Sequence, residues 1–419
     1  MQIPDAAQWS ASFDVNAATQ AWLETLSAAQ RAQSDAYFVG GYWLLLWNLL
    51  WGLGVAWLLL SGRRSARLRN SIERLTPHRG LQALLFAAPY LLLSWLLTLP
   101  LDIYQDYFRE HQYGLATQSF LPWFGEHCIS LALLLAIGSP FIALMYWIVR
   151  HAGNVWWAWG TGLAVLFALC VLVIAPVFIE PLFNHYQPLP PGATRDTVLS
   201  LARANGIPAR DVYLFNASKQ TTRISANVSG ALGTTRISLN DNLLYNTSVP
   251  EIRAVMAHEM GHYVLHHGYR HVIYLGLLAL VVLLLMHVFF DRLLGYCGVQ
   301  FGIRSRADIA GLPLAVALLS VLGFLATPAL NTINRVAESE ADIFGLNAAR
   351  EPQGFASVAL RLATYRKLDP GPLEEMLMFD HPSGRTRVHM AMQWLKENPP
   401  ASVSGTLAPA RVNASGDDR

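Results

Sequence analysis

The chain has 419 residues, of which 53% are hydrophobic and only 14% charged, with a formal net charge of +2. Soluble globular domains carry charge on roughly a quarter of their residues, so this balance excludes an ordinary soluble protein and makes the lipid bilayer the expected solvent. Near-neutral charge, without a basic run interleaved with aromatics, excludes nucleic acid as a partner.

Residues 1–35 are polar with scattered apolar positions, among them Trp9, Phe13, Trp22 and Leu23, which predicts an amphipathic segment lying at the membrane interface. Crossing a bilayer takes about 20 apolar residues. Six uncharged runs of that kind follow, at 36–61, 80–101, 127–149, 152–179, 271–290 and 309–334, the fifth interrupted only by His271 and His287. The first run has no small-residue cleavage site and reads as an anchor, not a removed signal peptide. Cys128, Cys170 and Cys297 lie in or beside these runs without a CxxC pair, and are read as packing residues. The expected fold is an α-helical integral membrane protein of about six transmembrane helices, four within 36–179 and two within 271–334.

Between the fourth and fifth runs, residues 180–270 turn polar, with Pro181, Pro188, Pro190 and Pro191 punctuating the exit from the membrane. Helical spacing predicts a helix over 194–205, closed by Gly206-Ile207-Pro208. Strands are predicted at 211–215 and 236–239 from their β-branched and aromatic content. Pro250 suits the first turn of a helix running on towards the fifth span. This insert is a small α+β domain. After the sixth run come a polar helix over 334–349 and a helical segment looped around Pro370 and Pro372, so that 335–395 completes the same domain. Residues 396–419, dominated by Pro, Ser, Ala and Gly, read as a disordered tail.

The chemistry is concentrated in His258-Glu259-Met260-Gly261-His262. On a helix, residues four apart share a face, so His258 and His262 point at one metal with Glu259 beside them. A catalytic zinc takes about three protein ligands and keeps one open position for water. Glu338, on the polar helix after the last span, is the predicted third ligand, completing a site for one Zn2+ per chain. Asp342, one turn on, is placed to accept a hydrogen bond from a ligand imidazole. Glu340 is expected to be solvated or paired with Arg335 or another base, and His266 and His267 to be interfacial surface residues. Glu259 takes a proton from the attacking water and passes it to the leaving amine, which makes the reaction peptide hydrolysis without a covalent intermediate.

These residues, with others, resemble the membrane-embedded zinc CAAX prenyl endopeptidases of the a-factor-converting type over about residues 37–395. The resemblance rests on Pro100-Leu101-Asp102-Ile103-Tyr104, Glu110-His111-Gln112-Tyr113-Gly114, Ile179 to Asn184, Pro188-Leu189-Pro190, Val212 through Asn227, the histidine motif, Arg335 to Asp342, and His381-Pro382 with Arg387. It implies zinc at His258, His262 and Glu338, Glu259 as base, and Asp342 orienting a ligand histidine. It also implies that Asn227, His381 and Arg387 hold the substrate backbone and the developing oxyanion, that the helices enclose an intramembrane chamber, and that the substrate is a prenylated, membrane-associated peptide or protein.

Two departures stand out. Eukaryotic members have seven spans, and one is missing between Arg63 and Arg79; the stretch Lys219 to Ser225 also differs from the family's serine-rich pattern. Arg63, Arg64, Arg67, Arg69, Arg74 and Arg79 against Glu73 place the 61–80 loop in the cytoplasm and the catalytic part outside a bacterial-type plasma membrane. The family keeps it on the cytosolic side, so the side stays open. Two other functions also stay open: a broad-specificity quality-control metalloprotease resembling the heat-shock membrane peptidase HtpX, and a non-catalytic membrane scaffold.

Overall fold

A computed structural model describes residues 1–230 and 235–400. Among the described residues, six helical units are long and apolar enough to span a membrane: Ala28–Leu75, Arg79–Gln112, Phe120–His151, Gly153–Leu182, His267–Phe301 and Ile309–Ala349. Five of them contain one of the apolar runs read from the sequence and extend beyond it, and the fourth begins one residue inside its run, at Gly153, and ends beyond it. Helix continues past the apolar run because the next turns still satisfy their backbone bonds internally, whatever their side chains. Trp43, Trp57, Trp159, Phe178, Ile273 and Leu277 stay largely exposed on the flanks, as a lipid-facing surface requires. The sixth span is the most enclosed, with 39% of its apolar window buried against 0% for the fourth.

Histidines inside a span need partners. His271 has Nδ1 2.8 Å from the His267 carbonyl and Nε2 3.0 Å from Asn334 Oδ1. His287 Nδ1 receives the Trp156 indole N–H at 3.2 Å. The titratable groups that interrupt the fifth run are thereby satisfied within the bundle.

The stretch 61–80 is not a loop. Gly62 and Arg63, at φ 60° and 57°, break the first unit, and Arg64–Leu75 then forms a helix of its own. Its Arg69 pairs with buried Asp308, Ser65 Oγ donates to the Ala310 carbonyl at 2.6 Å, and Arg304 Nη1 lies 2.7 Å from Glu73 Oε1. The two basic connections after the first and fifth spans therefore touch, on the membrane face opposite the α+β part.

That part contains a four-stranded sheet of order β1-β2-β4-β3, with β1 Tyr186–Pro188, β2 Val212–Phe215, β3 Ala226–Ser229 and β4 Arg236–Asn240. β2 and β4 are parallel, and the outer strands run antiparallel to them. Only β2 and β4 were legible in the sequence. β1 contains Pro188, which an edge strand tolerates because one row of its N–H groups has no ladder partner. Val212, Leu214, Ile237 and Leu239 bury against Met256, Ala257 and Met260 of the helix Val249–Val264, and Ala193–Ala204 covers the same core.

Two further expectations change. Residues 334–349 are not a separate helix but the end of one continuous helix, Leu312–Ala349. The apolar face of the N-terminal segment is covered by protein: Val15–Glu24, capped by Asp14 accepting from the Ala17 N–H at 2.7 Å, packs Trp22 and Leu23 into a core with Phe355, Val388 and Met392. Its apolar stripe looked interfacial because a stripe records that a face is covered, not by what. The chain is helical through Glu397, and residues 401–419 of the predicted tail lie outside the described residues.

Candidate active site

The helix Val249–Val264 starts with a capping box in which the Ser248 N–H and Oγ donate to Glu251 Oε2 at 2.7 and 2.8 Å. Glu251 also accepts from Ser357 Oγ at 2.7 Å and Arg361 Nε at 2.6 Å. Burial opposes its charge, but these donors hold its carboxyl down at about 2. Pro250 sits in the first turn as expected. The helix thus begins at a fixed point, and two turns later it presents the histidines.

It crosses the end of the sixth span at small residues. A Cβ on Gly345 would fall 3.0 Å from the His258 backbone nitrogen, and one on Gly261 would fall 3.2 Å from Ala341 Cα. Such closeness brings side chains one turn apart on both helices to a common point. Gly345→Ala is expected to push the helices apart, costing about 1–3 kcal/mol and weakening metal retention; thermal melting with and without added metal reads both effects.

At the crossing, His258 Nε2 lies 3.1 Å from His262 Nε2 and 3.3 Å from Glu338 Oε2, and His262 Nε2 lies 3.4 Å from Glu338 Oε1. One donor atom from each of the three falls within 4.8 Å of the other two. Donors about 2.0–2.1 Å from a tetrahedral zinc stand roughly 3.3 Å apart, so this donor set fits such a cation. His258 Nδ1 lies 2.8 Å from Oδ1 of Asp342, which is fully buried. Burial opposes charging His258, yet Asp342 and Glu338 push it up to about 10, so the site favours a positive charge. Glu259 lines the same cavity, and burial pushes its carboxyl up.

The other predicted site residues converge here from the C-terminal part. Arg387, 6% exposed, donates through Nε to Asp342 Oδ2 at 2.8 Å and through Nη2 to Glu338 Oε2 at 3.0 Å. His381 Nε2 is 3.3 Å from Glu338 Oε2, and its Nδ1 is 2.8 Å from Asp380 Oδ1. Ser225 and Ala226 help wall the cavity, of 220 Å³, while Asn227 does not. Asn227 sits one step along β3 with its Oδ1 buried and, among the described residues, unpartnered.

His267 reverses an expectation. It is only 2% exposed, with Nδ1 2.8 Å from His262 Nδ1 and Nε2 3.0 Å from Glu340 Oε2. Glu340 is paired with Arg270, not with Arg335, which instead donates to the carbonyls of Glu375 and Phe379. A consistent proton arrangement has His262 Nδ1–H donating to His267, and His267 Nε2–H donating to Glu340. His262 is held from behind by this relay much as His258 is held by Asp342. Helical periodicity missed it because the chain breaks at His266, at φ 55°, before the fifth span begins at His267.

A second cavity of 560 Å³ lies among the ends of the first three spans and the 220–223 loop, lined by Tyr37, Asp106, Arg109, Glu126, His127 and Arg223 among others. In this region Tyr37 Oη donates to Glu110 at 2.6 Å, and Arg223 Nη2 lies 2.7 Å from the same carboxylate.

Comparison with known proteins agrees with this architecture. Residues 16–185 match a family model described as CAAX prenyl protease N-terminal, five membrane helices, and residues 188–395 match Peptidase family M48. Four described spans occupy the region matched to the five-helix model. The chain is 32% identical over 345 residues to the uncharacterized metalloprotease YhfN of Bacillus subtilis (strain 168), covering 82% of this chain and 80% of the relative. It is 27% identical over 332 residues to CAAX prenyl protease 1 of Saccharomyces cerevisiae, covering 75% and 73%. The fold is similar to the crystal structure of S. mikatae Ste24p, with TM-score 0.71 and 22% identity over 88% of this chain and 90% of that one. The chain belongs to peptidase family M48 and is a multi-pass membrane metalloendopeptidase.

Proposed function

We propose that the protein is a zinc endopeptidase cutting prenylated C-terminal peptides, with His258, His262 and Glu338 as ligands. The observation that carries this reading is the convergence of the two Nε2 atoms and the Glu338 carboxylate beside buried Glu259. Bound zinc would supply an acidified water and a polarised scissile carbonyl. Glu259, with its carboxyl raised by burial, accepts the water proton and returns it to the leaving amine. Asp342 and His267 fix the ligand imidazoles. His381 and Arg387 face the position where negative charge develops on the substrate carbonyl. β3, an edge strand whose start walls the cavity, offers its free backbone groups to an extended peptide, with Asn227 beside it.

The prenylated substrate class follows the relatives named as CAAX prenyl proteases. Incubating the zinc-loaded protein with a farnesylated peptide and its unprenylated twin is the decisive measurement. Preferential cleavage of the farnesylated peptide is expected; equal cleavage of both, together with degradation of misfolded membrane proteins, would favour the quality-control reading. The two connections that meet on one face carry the arginine excess, Arg63, Arg64, Arg67, Arg69, Arg74 and Arg79 with Arg292, Arg304 and Arg306, which favours that face as cytoplasmic and the catalytic part on the outer face of a bacterial-type plasma membrane. Activity of a periplasmic reporter fused to the C-terminal end is expected; activity of a cytosolic reporter instead would put the site inside.

A further inference from the structure

Arg366 stands out among the cations around the site. It lines both the 220 Å³ cavity that holds His258, His262 and Glu338 and a neighbouring cavity of 480 Å³ that runs towards the first span. Its backbone is pinned, because Ser34 Oγ of that span donates to its carbonyl at 2.9 Å. Among the described residues, its guanidinium has no ion-pair or hydrogen-bond partner, and its nearest aromatic, Tyr365, is 5.8 Å away at the ring centroid.

The surrounding carboxylates already have partners. Glu338 is engaged by His258, His381 and Arg387, Asp380 by His381, Glu374 by Lys367 and Glu110 by Arg223. Among the described residues, the 480 Å³ cavity is lined by Arg109, Arg223 and Arg366 against Asp380; with Arg223 held by Glu110 and Asp380 by His381, Arg366 and Arg109 are its cations without a carboxylate partner. Tyr365 also walls both cavities, with no hydrogen bond to its hydroxyl among the described residues. Burial and Arg387 both push the Arg366 guanidinium down, a cost that an incoming anion would relieve. A guanidinium fork and a phenolic O–H are the donors that a carboxylate takes.

We infer that Arg366 and Tyr365 form a subsite for a carboxylate of the bound peptide, placed so close to the metal-ligand cluster that it receives the C-terminal α-carboxylate of a short leaving fragment. This inference rests on the peptidase reading above, but not on the prenyl group.

The test uses the full-length, zinc-loaded Glu259→Gln protein in detergent and measures binding of an acetylated tetrapeptide as its free acid and as its amide. The free acid is expected to bind about 10–100-fold tighter, the range for a hydrogen bond to a charged group. Arg366→Gln should bring the ratio close to one, and Arg366→Lys should recover part of it; melting curves check that both variants fold. An amidated peptide with an aspartate at its penultimate position separates the sources: recovered affinity assigns the carboxylate to a side chain, and continued weak binding assigns it to the terminus. An acid-to-amide ratio near one with Arg366 intact, or an undiminished ratio in Arg366→Gln, would overturn the subsite. Loss of farnesyl preference with the acid-to-amide ratio intact would refute the prenyl reading alone.

Discussion

Glu259→Gln is expected to lower peptide hydrolysis by about 10²–10⁴-fold, the usual contribution of a positioned general base, while metal binding stays near that of the parent. Glutamine keeps the volume and the buried position but cannot accept and return a proton. The three candidate ligand side chains are untouched, since Glu259 contributes none of the donor atoms that converge. Bound metal per chain and kcat with a peptide reporter are the two measurements. Unchanged kcat would remove Glu259 from the mechanism, and lost metal would mean that it acts as a ligand.

Asp342→Ala is expected to be the most damaging single change to the site's architecture. Asp342 is fully buried, 2.8 Å from His258 Nδ1 and 2.8 Å from Arg387 Nε. Removing it frees the His258 ring to rotate and leaves the buried Arg387 with Glu338 as its remaining anion. Loss of an outer partner of a ligand histidine typically costs 10–100-fold in metal affinity, and breaking a buried ion pair costs about 3–5 kcal/mol. Asp342→Asn, which keeps the shape and one acceptor, should fall between the two proteins. Chelator competition reads the affinity and melting in detergent the stability; an alanine variant with parental metal affinity would show that Asp342 serves only to hold Arg387.

The site was legible to different depths. His258, Glu259 and His262 could be read from four-residue spacing alone, because a helix turns that spacing into one face. Glu338 and Asp342 were legible by the same rule on a second helix, and the tight crossing at Gly261 and Gly345 brings the two faces together. His381 and Arg387 carried no local signal; they were named through resemblance, and the fold brings them against Glu338 from a separate helix and its preceding loop. Arg366 and His267 were not legible. Arg366 reads as an ordinary basic residue after a helix, and only the seating of that turn against Ser34 gives it a cavity to face.

What the amino-acid order determined is whatever depends on local periodicity and transfer to lipid: six spans, an α+β insert, and a metal-type motif with Glu259 beside its histidines. Each rests on neighbours within a few residues or on the summed hydropathy of about twenty. The tertiary structure decided what depends on distant segments meeting. It turned the N-terminal stripe inward against Val388 and Met392, added β1 and β3 as partners to the two readable strands, and buried His267 behind His262. Those outcomes follow from burial and pairing across hundreds of residues, where the free energy comes from surfaces that no local pattern records.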